Sequence, residues 1–438
     1  MPDPAITVGR KITRRLMPFL FVLYATAYID RVNVGFAGLD MTKDLGFSNE
    51  VFGFGSGIFF FGYCLLQIPG AMLAEVWSAR KWITCIMILW GSLAGLTGTI
   101  HTAGQFAVIR FLLGVAEGGF FPAVVIYLTH WYREADRGKA IGMFMAAIPL
   151  SNAVGASVAG LLLRLHWFSI PGWRWLLILE GAPALLGGVA AFFYLPERPK
   201  DVRWLSVEER DWLTAALERE QSRKRAEQQS KPSILAALRH PAVLGVAASY
   251  FLVNCGGYGL TIWLPKIAQA VSGLDAMGVS LVVAIPWAVA IPAMVLNGWH
   301  SDRTGDRRWH AAVAALLFGA ALAISQQFSM YPAIAFMAVT LAAAGDMAYF
   351  PPMLALPTEL MSQGRAAASF GFINLTANLG GFAGPYAVGF LTDLTKSYSA
   401  GVYLMVATAI AGSAVAACLR QKDKVTLGTR SVIATGNS

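Results

Sequence analysis

Four ionisable side chains stand in stretches otherwise free of charge: Asp30 and Arg31 in AYIDRVNVGF, and Arg110 and Glu117 in RFLLGVAEGG. A carboxylate gains and loses a proton, whereas a guanidinium stays charged and offers a planar fork of donors to an oxyanion. Together they are suited to holding an organic anion and handling a proton beside it. Residues 110 and 117 are seven apart, so on a helix they share one face about 10 Å apart. Direct pairing needs both side chains to reach; a bound group, or partners from another helix, could fill the gap. Asn254, Tyr258 and Trp263 form a neutral polar set, as do Asn374, Thr376 and Asn378. Amides and rings of this kind suit the hydroxyl groups of a ligand, and Asn374 and Asn378 lie one turn apart on one face. Asp346, in GDMAYF, stands alone. Each set also has a structural reading: ion pairs locking two helices, amides gluing helices together, or, for Arg110 near a span end, snorkelling.

What positions these residues is an apolar scaffold. The chain has 438 residues, 56% hydrophobic and only 13% charged, with a mean hydropathy of +0.56. Soluble domains carry about a quarter charged residues, so lipid is the solvent implied. Apolar runs long enough to cross a bilayer recur at about 16–38, 51–74, 81–100, 104–130, 138–163 and 174–195, and again at 241–267, 278–300, 309–327, 332–356, 366–392 and 400–420. The start, MPDPAITVGRKITRRL, lacks a small-residue cleavage site after its first apolar run, so that run reads as a retained helix. An all-α membrane protein with twelve transmembrane helices follows, arranged as residues 1–195, a polar central loop at 196–240, and residues 241–438. Within the loop, PERPKDVRWLSVEERDWLTAALEREQSRKRAEQQSKPS, with Glu208 four residues before Trp212, reads as a surface helix joined to a flexible tail.

Loop charge sets an orientation. Lys11, Arg14 and Arg15, then Arg80 and Lys81, Arg133, Arg137 and Lys139, Arg303, Arg307 and Arg308, and finally Arg420, Lys422 and Lys424 fall on alternate loops. The intervening loops are nearly uncharged, which places both termini in the cytoplasm. That pattern also explains the net charge of +9 without nucleic acid. The four cysteines lie in apolar segments without metal-ligand spacing and read as buried thiols. No P-loop, HExxH or Ser-His-Asp set suggests an enzyme, and no metal or cofactor is expected.

An internal repeat relates the halves. GAMLAEVWSARKW follows the second span and LNGWHSDRTGDRRWH the eighth; in each an acid, Glu75 or Asp302, precedes a basic pair beginning at Arg80 or Arg307. The second copy resembles the G-x-x-x-D-x-x-G-R-[KR] loop of the major facilitator superfamily. The first departs from it with Ala71, Glu75 and Ser78. The blocks YIDRVNVGFA, FFFGYCLLQIPG, RFLLGVAEGGFFPAVVIYLTHWY, RWLSVEERDWL and INLTANLGGFAGPYAVG, in order along essentially the whole chain, resemble its anion:cation symporter family, which includes bacterial tartrate and sugar-acid permeases. The resemblance implies two six-helix bundles with a substrate site between them at midplane. It assigns proton coupling to Asp30 and Glu117 and anion binding to Arg31 and Arg110, with Tyr63 as a substrate-site residue. Two departures bear on specificity: Leu354 stands where a tryptophan is usual in the tenth span, and Asp346 where an apolar residue is usual.

The expectation is a proton-coupled symporter importing a small organic carboxylate (a sugar acid, a tartrate-like hydroxy acid or an aromatic acid) through a bacterial-type inner membrane as a monomer. Its partners are the anion, the proton and the lipid bilayer. An exporter or antiporter of the same fold, and a non-transporting sensor of organic anions, are the alternatives.

Overall fold

The computed structural model describes residues 4–227, 240–360 and 363–419. The basic residues Arg420, Lys422 and Lys424 and the flexible tail expected within the central loop fall outside these ranges. Lipid offers no hydrogen-bond partners, so spanning backbone must satisfy itself within helices, and the chain does so. In order the helices are α1 (Pro4–Asp44), α2 (Asn49–Val76), α3 (Ala79–Thr97), α4 (Ala103–Gly118), α5 (Phe120–Thr129), α6 (Glu134–Met145), α7 (Ala147–Leu163) and α8 (Gly172–Tyr194). After the polar α9 (Val207–Glu227) come α10 (Pro241–Ser272), α11 (Ala276–Thr304), α12 (Arg308–Gln327), α13 (Pro332–Leu360), α14 (Gln363–Thr395) and α15 (Tyr398–Cys418).

Helices α4 and α5 are two segments of one span, Ala103–Thr129, and α6 and α7 of another, Glu134–Leu163. With those joined, twelve transmembrane helices form two six-helix bundles. Nine are apolar enough along the described residues to cross a bilayer on composition alone. The other three, α1, α3 and α14, carry Asp30 and Arg31, Arg80 and Lys81, and Asn374 and Asn378 respectively. The first helix begins at Pro4, a dozen residues before the expected span, because its basic amphipathic start continues the same helix beyond the membrane. Two of the four cysteines depart from expectation. Cys255 is buried and Cys64 half-buried, but Cys85 and Cys418 are exposed on the bundle surface, where an apolar thiol meets lipid at little cost.

The polar segment after the sixth span docks on the first bundle. Lys11 Nζ meets Glu209 Oε1 at 2.7 Å, Arg137 meets Glu220 at 2.9 Å and Arg223 meets Glu134 at 2.7 Å. The Trp131 and Trp204 rings stack at 5.7 Å. The hydrogen bond from Lys11 holds the Glu209 carboxyl below the usual carboxylate range. That tie is therefore present at neutral pH and lost as acid takes the pH down through the lowered value.

The bundles meet along α2 and α14, α7 and α11, and α1 and α10. One end of this seam is closed. Asp393, on α14, caps the start of α2: its Oδ1 accepts from Asn49 Nδ2 at 3.0 Å and its Oδ2 from the Glu50 main-chain N–H at 2.7 Å. Tyr386 donates to Glu50 Oε1 at 3.3 Å, and Trp263 Nε1 donates to the Pro385 carbonyl at 3.0 Å. Toward the basic loops the helices diverge and leave a cavity. A helix cap contributes about 1 kcal/mol, so Asp393→Ala should weaken the closed end several-fold. With the native cysteines replaced, the fully buried Ser56→Cys should react several times faster with a water-soluble maleimide when Asp393→Ala is added. Unchanged labelling would mean that the cap does not hold this end shut.

Candidate functional site

Adjacent residues on a helix point about 100° apart, and this separates Asp30 from Arg31. Asp30 turns toward α3, where its Oδ2 accepts from Trp90 Nε1 at 3.0 Å. Arg31 turns toward α4 and the cavity, forming an ion pair with Glu117 Oε1 and reaching Tyr258 OH on α10 at 3.4 Å. Helix one thus supplies the partner that the seven-residue spacing of Arg110 and Glu117 left open.

The approach of α4 to α2 creates this geometry. A Cβ on Gly114 would lie 1.9 Å from the Phe59 carbonyl oxygen, and one on Gly118 2.1 Å from that of Tyr63. Only glycine fits, and the two backbones touch. Phe59 is thereby wedged between two guanidinium groups, its ring centroid 5.4 Å from Arg31 and 4.8 Å from Arg110. The rings of Tyr28 and Tyr63 also flank Arg31, at 4.6 and 4.9 Å. Cation–π contacts of this kind contribute roughly 0.5–2 kcal/mol each, more when dry.

Burial grades the four groups. Arg110 and Glu117 are 1% exposed, Asp30 2% and Arg31 4%. Arg110 does not snorkel; it is enclosed behind Phe59. Its Nε and Nη2, the Arg31 Nε and the Glu117 Oε2 have no hydrogen-bond partner among the described residues. The site therefore holds spare donors and a spare acceptor in a dry setting, where each is costly to leave unpaired.

A cavity of about 990 Å³ lies between the bundles, at the top of the range for small-molecule sites. Of the residues expected to bind substrate, Arg31 and Tyr63 line it from the first half, and Asn254, Tyr258, Asn374 and Asn378 from the second. Asp346 and Leu354 line it too. Asp30, Arg110 and Glu117 stand behind this wall. Asn374 donates to Gln67 Oε1 at 3.2 Å across the seam, while Asn378 donates to the Asn374 carbonyl at 2.8 Å within its own helix. Trp263 lies at the closed end instead, and the Thr376 hydroxyl is turned onto the Phe372 carbonyl, 2.9 Å away.

The repeated loops differ as their sequences do. Arg307 pairs with Asp302 and donates to Ser301 Oγ at 3.2 Å, and both charged residues line the cavity mouth. In the first copy Arg80 faces Glu197 at 3.7 Å, Ser78 donates to the same carboxylate at 2.6 Å, and Glu75 is exposed.

Three polar residues escaped the reading of the sequence. Gln67 and Asn152 line the cavity. Glu180 on α8 is 6% exposed, and neither of its carboxylate oxygens has a hydrogen-bond partner among the described residues. It is an ionisable residue within a span, the criterion that singles out Asp30 and Glu117, and it was legible on that ground.

Residues 20–385 match the model of the Major Facilitator Superfamily. A relative from Agrobacterium vitis, "Putative tartrate transporter", is 42% identical over 414 residues, covering 93% of this chain and 94% of that one. The "Quinolone resistance transporter" of Acinetobacter baumannii is 35% identical over 399 residues, 91% of each chain. In fold the chain is similar to the xylose transporter XylE from E. coli in an inward open conformation, with a TM-score of 0.74, 15% identity, and coverage of 94% of this chain and 97% of that one.

The Arg31–Glu117 pair yields a thermodynamic test. Removing one member of a buried pair strands the other at about 3–5 kcal/mol, whereas replacing both with apolar groups is far milder. Arg31→Met and Glu117→Ala should each lower the unfolding temperature in detergent by several degrees, and the Arg31→Met/Glu117→Leu double variant should recover much of the loss. Losses that simply add would contradict the pairing.

Proposed function

The chain belongs to the major facilitator superfamily and is a multi-pass membrane transport protein rather than an enzyme; on that premise we propose that it is a proton-coupled symporter importing a small organic carboxylate. The observation that carries this reading is Arg31, a guanidinium at the cavity wall whose charge is balanced by a carboxylate standing behind it. While Glu117 is ionised, Arg31 already has its counter-charge and attracts an anion only weakly. A proton on Glu117 releases Arg31, and a ligand carboxylate takes over as counter-charge through charge-assisted hydrogen bonds. Proton and anion thus favour the same loaded state, and by linkage each tightens the binding of the other.

Asp30 acts as a second proton acceptor in this scheme. It shares the buried layer with Arg110, whose charge it offsets electrostatically. Arg110, held against Phe59, keeps the layer from becoming net negative when Glu117 is ionised. The basic loops border the mouth of the cavity, so the structure is read as open to the cytoplasm, with both termini on that side of an inner membrane. One chain contains the whole cavity, which suits a monomer. The name of the Agrobacterium vitis relative points to tartrate-like hydroxy acids.

The likeness to the Acinetobacter baumannii protein favours a second reading, export driven by proton entry. There proton and substrate compete for the same acids instead of binding together.

Reconstituted vesicles distinguish the two. One proton per anion couples one pH unit of gradient, about 1.4 kcal/mol, to about tenfold accumulation. Tartrate should accumulate on the alkaline side and alkalinise the compartment it leaves. Asp30→Asn and Glu117→Gln should abolish this accumulation while retaining exchange of labelled for unlabelled anion. Normal uphill uptake in both variants would sink the mechanism, and accumulation on the acidic side would establish export.

A further inference from the structure

Asp346 in the cavity has no part in this scheme. On α13, it is 1% exposed, lines the cavity, and its Oδ1 has no hydrogen-bond partner among the described residues. Its carboxylate lies against Gly257 of α10, where a Cβ would be 2.6 Å from Oδ1 and 3.0 Å from Oδ2. A glycine at that place gives the carboxylate room to sit flush against α10 at the cavity edge. The basic side chains lining the cavity, among the described residues, are Arg31 and Arg307, and both already hold a carboxylate, Glu117 and Asp302. Asp346 therefore faces the cavity without a cation of its own.

Burying an acceptor of this kind without a donor is costly. A ligand able to donate a hydrogen bond relieves that cost, and a ligand lacking a donor does not. The positive and negative poles are joined through neighbouring residues of one helix. Arg31 reaches Tyr258, and Asp346 abuts Gly257, the residue before it. Both side chains line the same cavity.

We propose that Asp346 is a specificity-determining residue that accepts a hydrogen bond from a hydroxyl or ammonium group on the transported carboxylate, so that the substrate is a short acid bearing a donor group rather than a plain dicarboxylate. This rests on the carboxylate reading above and sharpens it. Asn254, on the same face of α10 as Gly257 and lining the same wall, adds a neutral partner for that donor.

The test is equilibrium binding to the purified full-length protein in liposomes, with succinate, malate, tartrate, aspartate, gluconate and benzoate. Malate or aspartate should bind about tenfold or more tighter than succinate, which has the same chain and carboxylates but no donor. The better of the two identifies the donor as hydroxyl or ammonium. Asp346→Ala should erase the preference, so that malate and aspartate bind no tighter than succinate. The near-isosteric Asp346→Asn, which keeps an acceptor oxygen, should retain part of it and guards against loss of fold. A wild type that binds succinate as tightly as malate and aspartate, or an Asp346→Ala variant that keeps the preference, overturns the proposal and leaves the carboxylate reading standing. Binding of none of the six acids overturns both.

Discussion

The constraint on which the rest of the architecture depends is the placement of a guanidinium and a carboxylate, Arg31 and Glu117, where water is scarce. Neither charge is tolerated there alone. Their pairing bridges α1 and α4 through two long side chains that meet at one depth. That in turn requires α4 to press backbone to backbone against α2, which Gly114 and Gly118 permit. The rings of Tyr28, Phe59 and Tyr63 then close around the cations, supplying a polarisable surface in place of solvent. Each part has a local cause, and together they leave one arginine facing the cavity while its neighbours stay sealed behind it.

The seam between bundles is built on a different principle. At the closed end the contacts are mostly neutral hydrogen bonds and a carboxylate on a helix N-terminus, Asp393 over Asn49 and Glu50. Such contacts are individually weak, in keeping with surfaces that must part. Tyr258 and Asn374 are the exceptions that link seam and site, since each reaches a residue of the opposite bundle, Arg31 and Gln67. Glu117 is thereby linked through Arg31 to Tyr258 of the opposite bundle, without any long chain of intermediates.

Much of this was legible in the sequence because lipid enforces simple rules. Twelve helices follow from apolar run length, and a cluster of charge in two spans marks a site because burial makes such residues expensive. What periodicity cannot give is direction. AYIDRV suggests Asp30 and Arg31 as a pair, yet one residue of helical rotation sends them to different neighbours, Trp90 and Glu117. Arg110, near a span end in one dimension, is enclosed in three because Phe59 covers it. Glu180 was passed over although its position within GWRWLLILEGAP obeyed the same rule that identified Glu117. The neutral residues Gln67 and Asn152 gave no signal at all, since amides in membrane helices serve packing as readily as binding.

The size of the cavity has a consequence of its own. A volume of 990 Å³ holds on the order of thirty water molecules, many times what a four-carbon acid displaces. In this open form a ligand meeting the arginine remains largely hydrated, and its attraction is damped by a high local dielectric. If the proposed anion transport holds, discrimination between similar anions would be exerted as the walls come together and the solvent is expelled, when the same charges act through far less screening. Under the proposed transport the protein would act as a drying chamber: entry is permissive, and dehydration on closure would decide what is carried through.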